Sequence, residues 1–185
     1  MRAGDKGETS EAKQWGVRKR AEQGEAVGNE VPMFAKPGLV EVLMRAADKG
    51  ETSEVKQWGL MALSNLATTE DNEVPLFAKP GLVEVLMRAA DKGETSEIKR
   101  EGLRALASLA DANVNQVPMF AKPGLVEVLM RAADKGETSE VKQWGLTALA
   151  NLTVAAGNAV PMFAEPGLVE VLMRAGDKGE TSKIK

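Results

Sequence analysis

The sequence predicts an all-α protein, a solenoid of stacked helical repeats, and three observations carry that prediction. The stretch Val31 to Glu54, VPMFAKPGLVEVLMRAADKGETSE, recurs from Val74 with one change, from Val117 unchanged and from Val160 with three, 43 residues apart each time. A fixed period of this length marks units that bury their apolar faces only by stacking on their neighbours. Within each period apolar residues fall at helical spacing, and Pro and Gly fall at the breaks.

The period divides the chain into an N-terminal partial repeat at 1–30, full repeats at 31–73, 74–116 and 117–159, and a C-terminal partial repeat at 160–185, all in one continuous domain. Each full unit reads as three helices. Pro32 to Lys36 is a short first helix, placed here because Pro suits a first turn, where its missing N–H costs nothing. Pro37-Gly38 ends it, since Pro cannot continue a helix and Gly supplies the unusual backbone angles of a turn. Leu39 to Ala47 is the second helix, with Leu39, Val40, Val42, Leu43 and Ala46 on its apolar side. After Asp48-Lys49-Gly50, Thr52 and Ser53 are capping residues for a third helix running to about Ala67, and Glu54 suits the positive end of its dipole. Thr68 to Glu73 reads as a polar loop.

Comparison of the units separates two faces of the third helix. Its sequences are EVKQWGLMALSNLA, EIKREGLRALASLA and EVKQWGLTALANLT. At about 100° per residue, Val55, Gly59, Leu60, Ala62, Leu63 and Leu66 form one broad apolar face, nearly constant from unit to unit. A stripe on another side varies: Trp58, Glu101, Trp144; Met61, Arg104, Thr147; Asn65, Ser108, Asn151. Trp15 and Arg18 hold the matching places in the first partial repeat. A constant core face beside a varying stripe fits a scaffold with a diversified contact surface, and it equally fits drift of exposed positions after duplication.

Three helices in about forty residues, a Gly before the second, and the third-helix pattern Glu54-Val55, Gly59, Ala62-Leu63, Asn65-Leu66, repeated as Glu140-Val141, Gly145, Ala148-Leu149, Asn151-Leu152, resemble armadillo repeats, the units of importin-α and β-catenin. The resemblance spans nearly the whole chain. It implies a right-handed α-solenoid whose third helices line a concave face, with Asn side chains holding the backbone of an extended peptide. A carboxamide has both donor and acceptor, so it pairs with peptide N–H and C=O groups without reading sequence. On this footing the peptide-binding residues are Trp15, Arg18, Trp58, Met61, Asn65, Glu101, Arg104, Ser108, Trp144, Thr147 and Asn151. Trp58 and Trp144 are candidate walls for side-chain pockets or ordinary packing on the helix base. Glu54, Glu97, Glu101 and Glu140 make the stripe mildly acidic, which favours a basic peptide.

The chain departs from the family in three places. Gly59, Gly102 and Gly145 replace a usual Ala, a loss of helix propensity that permits close helix approach, Ser108 interrupts the Asn series, and the tryptophans lie seven residues before the Asn position instead of four. Two-helix HEAT repeats of similar period are the runner-up architecture.

Composition narrows the function further. With no Cys and no His, thiolate nucleophiles, thiol or imidazole metal sites and the Ser-His and Cys-His catalytic pairs are absent. The loop DKGETSE lacks calcium-loop spacing, and GDKGET lacks the GK[ST] end of a phosphate loop. The expectation is a non-enzymatic module with no cofactor. Twenty-four Lys and Arg against twenty-seven Asp and Glu give a formal charge of −3, which argues against nucleic acid as the partner. Neither a signal peptide nor a membrane span is legible, so no membrane partner and a cytoplasmic or nuclear setting are expected.

The ends extend this reading. Lys19 and Arg20 stand where Ala62 and Leu63 stand one unit on, as in a solubilising cap. Leu168, Val169, Val171, Leu172 and Met173 form an apolar face that would support weak self-association. Two functions follow. The chain is a protein-interaction module for an extended peptide or unstructured protein segment, or it is a structural or designed repeat scaffold without an evolved ligand.

Overall fold

The structure, a computed structural model, describes Arg18 and residues 30–177. The described residues form eleven α-helices and no strand: α1 (Glu30–Phe34), α2 (Leu39–Lys49), α3 (Ser53–Ala67), α4 (Glu70–Phe77), α5 (Leu82–Lys92), α6 (Ser96–Leu109), α7 (Asn113–Phe120), α8 (Leu125–Lys135), α9 (Ser139–Thr153), α10 (Ala156–Phe163) and α11 (Leu168–Asp177). They repeat as short first, amphipathic second and long third helices. The second and third helices of a unit pack on each other, and α3, α6 and α9 pack side by side. The stacked third helices are the spine of the molecule.

Local chemistry sets each boundary. Thr52, Thr95 and Thr138 cap the third helices, their hydroxyls accepting from Val55, Ile98 and Val141 N–H at 3.2–3.3 Å. Gly38, Gly81 and Gly124 precede the second helices with φ of 77° to 80°, a region a side chain would strain. Gly59, Gly102 and Gly145 serve close packing. A Cβ on Gly59 would sit 2.7 Å from Ala47 N, and on Gly145 2.8 Å from Ala133 N, so these positions let the third helix lie directly on the second.

One expectation needs correction. The first helices of the later units begin at Glu70, Asn113 and Ala156, inside the stretch read as loop, so Pro75, Pro118 and Pro161 lie within helices and not in their first turns. Buried asparagines explain the earlier start. Asn115 Nδ2 donates to Leu109 O at 2.9 Å and to Glu73 O at 3.2 Å; Asn158 Nδ2 donates to Leu152 O and Gln116 O at 2.9 and 3.0 Å; Asn72 Nδ2 donates to Leu66 O at 3.2 Å. Each satisfies carbonyls at a third-helix C-terminus, and two of them also tie one first helix to the one before.

The core runs continuously through the stack, and Leu60, Leu63, Leu103 and Leu106 are fully buried, as the apolar-face assignment required. Ion pairs at fixed spacing join successive units outside it. Asp48–Arg88 (2.8 Å), Asp91–Arg131 and Asp134–Arg174 (2.9 Å) form one rail; Glu41–Lys79 (3.1 Å) and Glu84–Lys122 (3.0 Å) form a second. Lys56 and Ser53 share Glu94, as Lys99 and Ser96 share Glu137. Such exposed pairs fix register more than they add stability.

Candidate functional site

The stripe positions of α3, α6 and α9 face the same side of the stack, but the structure sorts them into distinct roles. Trp15 lies outside the described residues, as do the capping residues Lys19 and Arg20. Trp58 is half-buried, and the Arg18 guanidinium lies over its ring at 5.3 Å, so one indole face is taken by the chain's own cation. Met61 is half-buried against the core.

Glu101 corrects the acidic-stripe expectation. It is buried, with 3% side-chain exposure, and Arg100 donates to its Oε1 through Nε at 3.1 Å and Nη2 at 2.9 Å. Arg104 Nη1 stands 3.5 Å from Oε2, and Arg100 Nη1 reaches on to Glu140 at 3.1 Å. The Glu101 carboxylate is thus neutralised within this network and offers no free acidic charge. Burial weakens the Arg100 cation, but the Glu140 and Glu101 partners together outweigh it and raise its pKa.

The asparagines depart from a fully exposed row. Asn65 is 5% exposed and its Nδ2 has no hydrogen-bond partner among the described residues. Asn151 is half-buried and donates from Nδ2 to Ala107 O of the preceding third helix at 2.9 Å, which leaves its carbonyl oxygen for other partners. Ser108 is half-buried between them in the series.

Further along, the stripe opens into a cavity of about 240 Å³ drawn from three units. Trp144, Thr147 and Asn151 of α9 form one wall, and Ala107, Ser108 and Asp111 at the end of α6 form another; Thr68 and Glu73 close it from the preceding unit. Glu73 is 7% exposed, and its pKa is raised, first by burial and then by the Asp111 and Glu70 carboxylates. The sequence reading missed Glu73 and Asp111 because both stood in presumed loops. The pocket therefore joins an indole, a carboxamide and two carboxylates that form no ion pair among the described residues. That combination suits a cationic side chain.

Among the described residues, no three His, Cys, Asp or Glu gather into a metal site, and no single helix is long and apolar enough to cross a membrane.

No protein-family profile and no curated protein sequence matches the chain. Solved structures do. An engineered protein superposes with a TM-score of 0.79 at 29% identity, covering 91% of this chain and 67% of its own. A designed armadillo repeat protein gives 0.78 at 19% identity, over 92% of this chain and 70% of its own. A second designed armadillo repeat protein, in complex with the peptide (KR)4, gives 0.70 at 19% identity, over 93% of this chain and 66% of its own. The chain thus spans about two thirds of the length of each. These likenesses establish the architecture.

Proposed function

We propose that this chain, an armadillo-like helical repeat protein, is a non-enzymatic binding module for an extended, basic peptide or unstructured protein segment laid across its third helices. One observation carries the reading: the pocket beside Trp144 holds Glu73 and Asp111 together, with no Lys or Arg among its described lining residues. Burial, and after it the Asp111 and Glu70 carboxylates, raise the Glu73 pKa; a lysine or arginine side chain would stabilise the ionised form against both, and the indole face would add a cation–π contact. Asn151 Oδ1 would accept a peptide N–H beside it. A peptide-bound structural neighbour and the stacked third helices support the same mode. Third helices stand roughly 8–10 Å apart and an extended chain advances about 3.3 Å per residue, so each rung meets two or three residues of the ligand.

Calorimetry with a (Lys-Arg)4 octapeptide tests this. Asp111→Asn and Glu73→Gln are each expected to weaken binding about three- to tenfold, since a charge pair is lost in a partly desolvated pocket. The pH dependence has a definite sign. A cation favours ionised Glu73, so affinity should rise as pH rises through the elevated pKa of this carboxyl. Affinity that ignores both substitutions and pH would instead support a scaffold without a ligand at this pocket.

A further inference from the structure

One rung before that pocket, between α3 and α6, lie three of the five buried side-chain polar atoms that have no hydrogen-bond partner among the described residues: Ser64 Oγ, Asn65 Nδ2 and Glu101 Oε2. By the 43-residue repeat, their counterparts one rung on are Ala107, Ser108 and Trp144, and those three line the open pocket. The orphan atoms therefore hold, one unit earlier, the positions whose counterparts line that pocket. Arg104 stands where Thr147 stands in the open pocket, with its guanidinium 3.5 Å from Glu101 Oε2. That distance makes an ion pair without a hydrogen bond, so the tie that holds Arg104 over the space is a loose one. Buried polar atoms are nearly always satisfied, and three orphans at one rung point to a group missing from among the described residues.

The atoms specify that group. Asn65 Nδ2 needs an acceptor, Glu101 Oε2 needs a donor, and the Ser64 hydroxyl serves either way. An ammonium or guanidinium would answer Glu101 but leave Asn65 unanswered and meet Arg100 and Arg104. A carboxylate would answer Asn65 but meet the buried charge of Glu101. A neutral carboxamide answers both.

We propose that the α3–α6 rung is a closed subsite for a glutamine or asparagine side chain of the bound segment, uncovered when Arg104 moves aside. Its N–H would donate to Glu101 Oε2 and its C=O would accept from Asn65 Nδ2. The inference rests on the groove reading above and adds a neutral, amide-reading position beside the cation-reading pocket.

The test uses nine-residue peptides of alternating Lys and Arg around a central Gln, Ala, Lys or Glu, titrated calorimetrically into the full chain. The Gln peptide should bind about tenfold tighter than the Ala peptide, the size expected for two buried hydrogen bonds after desolvation. That advantage should vanish in Asn65→Leu. In the unsubstituted protein, the Asn65 side-chain amide resonances should shift with the Gln peptide and stay in place with the Ala peptide, a readout that does not depend on how the variant folds. Equal binding of Gln and Ala, a preference for Lys that survives Asn65→Leu, or an unmoved Asn65 amide overturns the subsite. If the peptides bind with a tryptophan response but without central preference, only the subsite fails. If none of the four binds, the groove reading fails with it.

Discussion

Leu106→Ala is expected to lower the free energy of unfolding by about 2–5 kcal/mol, the cost of truncating a buried leucine and leaving a cavity. Leu106 is fully buried on α6, the third helix that packs against both α3 and α9. Neighbours on several sides cannot collapse together onto the space, which places the loss toward the upper part of the range. Arg104→Ala, two residues earlier on the same helix, provides the contrast. Its side chain is 28% exposed, its ion pair to Glu101 is 3.5 Å long, and Arg100 keeps both hydrogen bonds to that carboxylate when Arg104 is gone, so its loss should fall within about 1 kcal/mol. Urea denaturation followed by circular dichroism measures both. Equal costs would mean that the two faces of the third helix have been assigned wrongly.

Arg100→Gln should be the most costly change on the polar side, at about 3 kcal/mol. The substitution restores the residue found in the flanking units, Gln57 and Gln143, so local propensity is not at issue. What changes is that Glu101 loses both hydrogen bonds to Oε1 and is left as a buried carboxylate whose remaining ion pair is 3.5 Å long. Removing one partner of a buried pair costs far more than the pair contributes, because the stranded charge has no water. Adding Glu101→Trp, the residue of the flanking units, should recover most of the loss. Stability unchanged by Arg100→Gln, or no recovery in the double variant, would show that Arg100 and Glu101 are not coupled in this way.

The period, the three helices of each unit and the buried face of the third helix were legible because each rests on a local signal: a near-exact repeat, Pro-Gly breaks, Thr caps and helical apolar spacing. Gly59, Gly102 and Gly145 were legible as well, as points of close helix approach. The first-helix start was misread because Pro75, Pro118 and Pro161 suggested an N-terminus, although a signal against it was present. Asn72, Asn115 and Asn158 keep the period inside a stretch whose other residues change, and that constancy within one chain marks them as structural. The candidate site was legible only in part. Trp144, Thr147 and Asn151 lie together as the stripe predicted. Glu73 and Asp111 join them across two unit boundaries, a juxtaposition that helical spacing within one element cannot reveal. Glu101 was misplaced for a related reason. A carboxylate reads as exposed until the arginines that bury it, Arg100 and Arg104, are seen as its partners.

The pocket beside Trp144 is expected to receive a basic segment. The most direct measurement is the indole Nε1–H resonance of Trp144 as the (Lys-Arg)4 octapeptide is added to the labelled chain. Its shift should saturate along the same curve as the calorimetric heat, while the backbone amides of Glu84 and Arg88 on the exposed side of α5 stay unmoved. A Trp144 signal that remains fixed while the α5 amides shift would contradict the account and move the working face to the second helices.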